Sequence, residues 1–251
     1  MARKFLGLLA LVSLFAWFSP VLAAKPNYAP EFPQNNGTYD VPGHPNLKVK
    51  VFVHKPNPGK PGPAPAPTCS DLHVNSVVGG TGWHLPSSFM YTLNPASVPS
   101  SVKGSNLSSI AALASGAWKT AISNKVNINQ NPQTTTINRA VNDGKNIVAW
   151  GRTSGSALAV TYTWYSLPDK TVTESDIIMN SKFRWSWNVC SDSSYDAQNI
   201  LTHEMGHWMG LDDEYDSAHV DNTMYGYGST GEFKKDTLEA GDITGVNAVY
   251  Q

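Results

Sequence analysis

His203-Glu204-Met205-Gly206-His207-Trp208-Met209-Gly210-Leu211-Asp212-Asp213-Glu214-Tyr215 is the stretch on which the reading turns. Two histidines four apart on a helix lie one above the other on the same face, so both imidazoles reach one metal ion. The pattern is a zinc-type H-E-x-x-H site. Glu204 neighbours the first histidine yet points off the ligand face, which leaves it free to take a proton from a water at the metal. Gly210, three residues beyond His207, stands where helices commonly end on a left-handed residue that glycine adopts at little cost. The chain then turns sharply and returns Asp213 to the histidines. On this reading His203, His207 and Asp213 are the metal ligands and Glu204 is the catalytic base. Asp212, Glu214 and His219 compete with Asp213 for the third place, and His219 as a fourth ligand would close the site and make it structural.

Outward from this stretch, the rest of the chain supplies a frame. Residues 88–93 (Ser-Phe-Met-Tyr-Thr-Leu) read as a first strand closed by Asn94-Pro95. Ile110, Leu113, Ala114, Ala117, Trp118 and Ala121 share one face of a 3.6-residue period, which predicts an amphipathic helix over about 107–122. Strand-like runs follow at 126–129, 146–150, 157–164 and 171–179. Helical signals return at 195–209 and 237–250, the latter opened by an Asp236 cap with Glu239 three residues on. Strand, long helix, several strands and two helices predict an α+β fold, a mixed sheet with helices packed on it.

The 203–213 stretch resembles the extended motif H-E-x-x-H-x-x-G-x-x-H/D of the metzincin metallopeptidases, and Asn222-Thr223-Met224-Tyr225-Gly226-Tyr227 looks like their methionine turn. Within that group the chain is most similar to the matrixin-like peptidases, through Tyr91-Thr92-Leu93-Asn94-Pro95, the Trp118 helix, the 157–164 run and the 174–185 segment. The resemblance implies a twisted sheet with an antiparallel edge strand, an active-site helix, a Met-turn and a C-terminal helix. It implies a zinc endopeptidase holding one catalytic zinc. Asp213 in the third place resembles the snapalysin-type variant. Val160 and residues 175–180 lack the histidines that hold a second, structural zinc in the matrixins. Met224 is expected to pack under the metal, since thioethers are poor zinc ligands. Tyr225 and Tyr227 are candidates for a pocket wall. Protein or peptide substrate is expected as an added strand along 157–163, where an open sheet edge offers unpaired backbone groups; pattern alone equally allows a covered inner strand. Calcium is a candidate near Asp212, Glu214, Asp216 and Asp221. The rival functions are a non-catalytic, zinc-stabilised extracellular binding module and a zinc hydrolase of cell-wall peptides.

A length of 251 residues suits one catalytic domain with targeting and linker segments. The net charge of −1, from 18 basic and 19 acidic residues, excludes the basic footprint that nucleic-acid binding needs. Arg3 and Lys4, the apolar run 5–18 and the small-residue end at Ala23-Ala24 read as a signal peptide over 1–23. A secreted, extracellular monomer without stable membrane association is therefore expected. Residues 24–68 are rich in proline and read as a linker or propeptide-like segment, with a strand-like run at 47–53 able to dock. The catalytic domain is expected over 69–251. Cys69 and Cys190 suit one bridge across the domain; the resemblance offers instead a cysteine switch at Cys69.

Overall fold

In the computed structural model, residues 32–59, 74–153, 155–190 and 193–251 are described. The strands are β1 (Gly37–Asp40), β2 (Leu47–Pro56), β3 (Ser88–Leu93), β4 (Asn127–Thr134), β5 (Asn146–Gly151), β6 (Ala159–Ser166), β7 (Val172–Asn180), β8 (Trp185–Ser186), β9 (Tyr195–Asp196) and β10 (Tyr227–Gly228). The helices are α1 (Leu107–Ala121), α2 (Ala197–Trp208) and α3 (Ala240–Val249). The main sheet runs β1-β2-β6-β7-β5-β3-β4, with β10 paired to β2. The β4-β3-β5-β7 portion is parallel, and β6, β2 and β1 continue it antiparallel. This is the mixed, α+β architecture expected.

The strands expected at 88–93, 146–150, 157–164 and 171–179 form within one or two residues of those bounds. α1 also forms as expected, but its buried stripe is Leu107, Ile110, Ala111, Ala114, Ser115 and Trp118, whereas Leu113 is exposed. The helix lies rolled toward its 111/115 flank because Trp118 must pass between α1 and α2, where its indole N–H donates to the Thr202 carbonyl at 2.8 Å. α3 starts later than expected. Its cap is Glu239, not Asp236, in a reciprocal capping box with Asp242. Asp236 instead belongs to a turn whose N–H donates to the Phe233 carbonyl.

Between β4 and β5, the chain at 141–147 is held by two carboxylates of β7. Glu174 accepts from the N–H groups of Asp143 and Gly144, and Asp176 from those of Val141 and Ile147. Burial raises the Asp176 pKa well above the ordinary carboxylate range. One core lies between the sheet and the helices, built on Trp118, Trp208, Leu93, Ile110 and Met205. A second lies on the far face of β2 and β6, built on Val49, Val51, Val53, Tyr162 and Trp164.

The proline-rich region thus contributes structure: residues 37–56 supply the last two strands of the sheet. Of the other expectations, the leader 1–23 and Cys69 lie outside the described residues. Cys190 is disulfide-bonded, and among the described residues no cysteine is free. Among the described residues no helix is long and apolar enough to cross a membrane.

Candidate active site

Helix α2 begins at Asp196, whose carboxylate accepts from the N–H groups of Gln198 and Asn199. It ends as the sequence predicts, with Gly210 left-handed at φ 88°. A Cβ there would meet the Trp83 carbonyl oxygen at 2.4 Å, so the turn is closed to other residues on two grounds. Beyond it the Leu211 carbonyl faces back to the helix, and Asp213 returns over His203 and His207.

The two histidines are oriented by backbone. His203 Nδ1 donates to the Thr223 carbonyl at 2.8 Å and His207 Nδ1 to the Leu211 carbonyl at 3.0 Å. A carbonyl only accepts, so each ring carries its proton on Nδ1 and leaves the Nε2 lone pair free. Both free lone pairs face Asp213 Oδ1, at 3.2 Å from His203 and 3.5 Å from His207. All three atoms are buried and none makes a hydrogen bond. Donors each about 2.0–2.1 Å from one tetrahedral ion lie roughly 3.4 Å apart, so two imidazoles and a carboxylate at these distances fit zinc. Burial lowers the His203 pKa to about 4, which keeps it neutral. Tyr215 completes the arrangement by donating to Asp213 Oδ2 at 3.1 Å, which turns Oδ1 toward the histidines.

Beneath α2 runs the turn at 222–225. Asp242 of α3 accepts from the N–H groups of Thr223 and Met224, so the carbonyl that orients His203 is itself fixed. Met224 is fully buried, and a Cβ on Gly206 would stand 2.2 Å from its sulfur. Met224 is thus a packing residue, and Gly206 is the space it needs.

Glu204 is buried and lies off the donor cluster, as its place in the helix predicts. Its Oε2 accepts a short hydrogen bond from the Thr161 hydroxyl of β6, and its Oε1 stands 3.2 Å from His54 Nδ1. Burial raises its pKa to about 7, against the pull of His207 and Thr161.

His219 is not a fourth ligand: Nδ1 bonds Asp216 at 2.8 Å and Nε2 the Val77 carbonyl at 3.2 Å. The acidic residues near it are engaged by protein groups. Asp212 and Asp221 face Lys50 and Lys234, and Glu214 and Asp216 accept from the N–H groups of Gly79 and Ala218. Calcium gains no support from this loop.

Strand β2 fills the cleft. It pairs with β6 from Leu47↔Ser166 to His54↔Ala159, so the stretch 157–163 is a covered inner strand in this chain. Phe52 stacks on His207 with ring centroids 3.7 Å apart, and His54 packs on His203 at 3.9 Å. Behind His54 lies Lys235, fully buried, its ammonium 3.2 Å from His54 Nε2. Neither residue carries a local sequence signal. His54 stands one place past the expected strand, and Lys235 sits in a polar Phe-Lys-Lys-Asp segment that reads as surface.

Comparison with known proteins gives one family match, to the family described as Matrixin, over residues 105–251. No curated protein sequence matches the chain.

Proposed function

The chain belongs to the matrixin family, and on that premise we propose that it is a secreted zinc endopeptidase in which His203, His207 and Asp213 hold the metal and Glu204 is the general base. The observation that carries the reading is the meeting of three buried donor atoms that bond no protein group, beside a carboxylate excluded from their cluster. Bound there, zinc would supply Lewis acidity to the scissile carbonyl and to a water. Glu204, steadied by Thr161, takes the proton of the attacking water and passes it to the leaving amine. The leader at 1–23 supports secretion.

Substrate follows the course that β2 takes, antiparallel to β6 and parallel to β10. Backbone pairing of this kind holds an extended peptide whatever its sequence. Residues 47–56 must therefore leave the cleft before substrate enters, and the intact chain is latent. Casein zymography with and without a chelator, on protein freed of residues 47–56, tests the proposal. Clearing that chelator abolishes and zinc restores supports it. A zinc-loaded protein that clears nothing would instead be a binding module.

A further inference from the structure

Strand β2 does more than cover the cleft, because it seats a side chain in a pocket beside Glu204. His54 is fully buried there. Gly228 forms one wall: a Cβ on it would stand 3.0 Å from Ile200 and from Leu158, and 3.3 Å from His54 Nε2. Lys235 closes the far end. Its ammonium donates to the carbonyls of Tyr225 and Tyr227, the latter at 2.9 Å, and to His54 Nε2. An ammonium has three N–H groups. Two are spent on the pocket wall, so the third belongs to whichever side chain enters. His54 answers it as a neutral ring, accepting at Nε2 and donating at Nδ1 to Glu204.

An imidazole is a weak answer to a buried cation. Burial lowers the Lys235 pKa to about 8, and among the described residues no carboxylate forms an ion pair with it. Glu232 accepts from the Ser229 N–H through Oε2, and its Oε1, 3.6 Å from the Lys234 ammonium, makes no hydrogen bond. Asn199, which accepts from the Lys235 backbone N–H, carries a buried Nδ2 without an acceptor. The Lys235 ammonium is thus held directly by neutral acceptors alone, while the charges of Glu232, Asp213 and Glu204 act on it from beyond hydrogen-bond contact. A carboxylate is the stronger partner for such a group. Glutamate has the right reach, since its Oε, like the histidine Nε2, is three bonds from Cβ, whereas aspartate stops one bond short.

We propose that Lys235 sets the specificity of the enzyme: a substrate strand lying where β2 lies places a glutamate flanking the scissile bond into the pocket of His54, with its carboxylate on the Lys235 ammonium. The inference rests on the peptidase reading above. Its first test is to digest a denatured protein with the zinc-loaded enzyme, its cleft freed of residues 47–56 as for the zymography, and to read both ends of every new fragment by mass spectrometry. Glutamate should be enriched roughly tenfold or more at one fixed position beside the cut, because a site built to bond a polar group rejects side chains that lack it. The enrichment should vanish in Lys235→Met. Cleavage without glutamate preference, or with a preference that survives Lys235→Met, would overturn the proposal.

A second measurement needs no turnover. In the full chain, His54→Glu should melt above His54→Leu by about 2–4 °C, and the order should reverse in the Lys235→Met background, where the carboxylate is buried without a cation. If His54→Leu melts higher with Lys235 in place, the pocket does not take a carboxylate. Should no protein be cut under any condition, the peptidase reading falls, while the melting order still decides what the pocket binds.

Discussion

Helix α2 and strand β2 face each other across one cleft, yet they are fastened in different ways. Each functional side chain of α2 is oriented from behind by a buried group: His203 by the Thr223 carbonyl, His207 by the Leu211 carbonyl, Glu204 by Thr161. The turn that holds His203 is locked in turn by Asp242. β2 is attached by antiparallel ladders to β6 and β1, two residues of β10, the far-face core through Val49, Val51 and Val53, and the side chains of Phe52 and His54. Groups fixed by several elements keep their geometry when a neighbour departs, whereas a strand added to a ladder can be exchanged for another of the same direction. On the proposed function, α2 is the permanent half of the site and β2 the replaceable half.

The largest expected effect falls on the permanent half. Glu204→Gln should keep one zinc per chain, measured by metal analysis, while casein hydrolysis drops by roughly 10²–10⁴-fold. Full activity in that variant would remove Glu204 from the chemistry. Next, Asp213→Ala should weaken zinc binding by about 100-fold or more, since loss of even an outer partner costs about 10–100-fold. Asp212→Ala should leave binding near that of the parent, and the opposite ranking in a chelator competition would reassign the third ligand.

The replaceable half should respond in the other direction. Phe52→Ala removes the ring stacked on His207, a truncation that costs about 3–5 kcal/mol in a well-packed site. Part of that loss falls on β2 docking, so the rate of the full chain on a protein substrate should rise by about tenfold, equivalent to about 1.4 kcal/mol. An unchanged rate in a folded variant would mean that β2 does not gate the cleft. The smallest effect belongs to Met224→Leu, which conserves volume and should cost less than about 1.5 kcal/mol in thermal unfolding. Zinc affinity should not move; if it does, the methionine has a part in the metal site beyond packing.

Much of the permanent half was legible in the sequence because its geometry is local. The i, i+4 spacing of His203 and His207, the left-handed stop at Gly210 and the return to Asp213 all lie within eleven residues, so helix periodicity and one glycine suffice to bring them together. The strands were legible for the same reason: β3 and β5 are short, largely apolar runs bounded by turn residues. Less local features were misread. Leu113 fits the periodicity of α1 yet points outward, because the roll of a helix is decided by what it packs on. Asp236 fits a cap pattern, but Glu239 wins because it closes a reciprocal box with Asp242 and also accepts from the Val74 N–H.

By itself, then, the sequence determined the fold class and the meeting of His203, His207 and Asp213 with Glu204 beside them, each from contacts between residues close along the chain. Tertiary structure alone decided what lies opposite them. His54 reaches Glu204 across 150 positions, and Lys235 reaches His54 across 181. Contacts of such separation leave no periodic trace, because the residues at either end obey only the rules of their own segment: an alternating strand for His54, a polar loop for Lys235. That 157–163 is covered, not open, was undecidable for the same reason. Alternation records that a strand has two unlike faces, while the pairing of its edges depends on which other segment folds back to meet it.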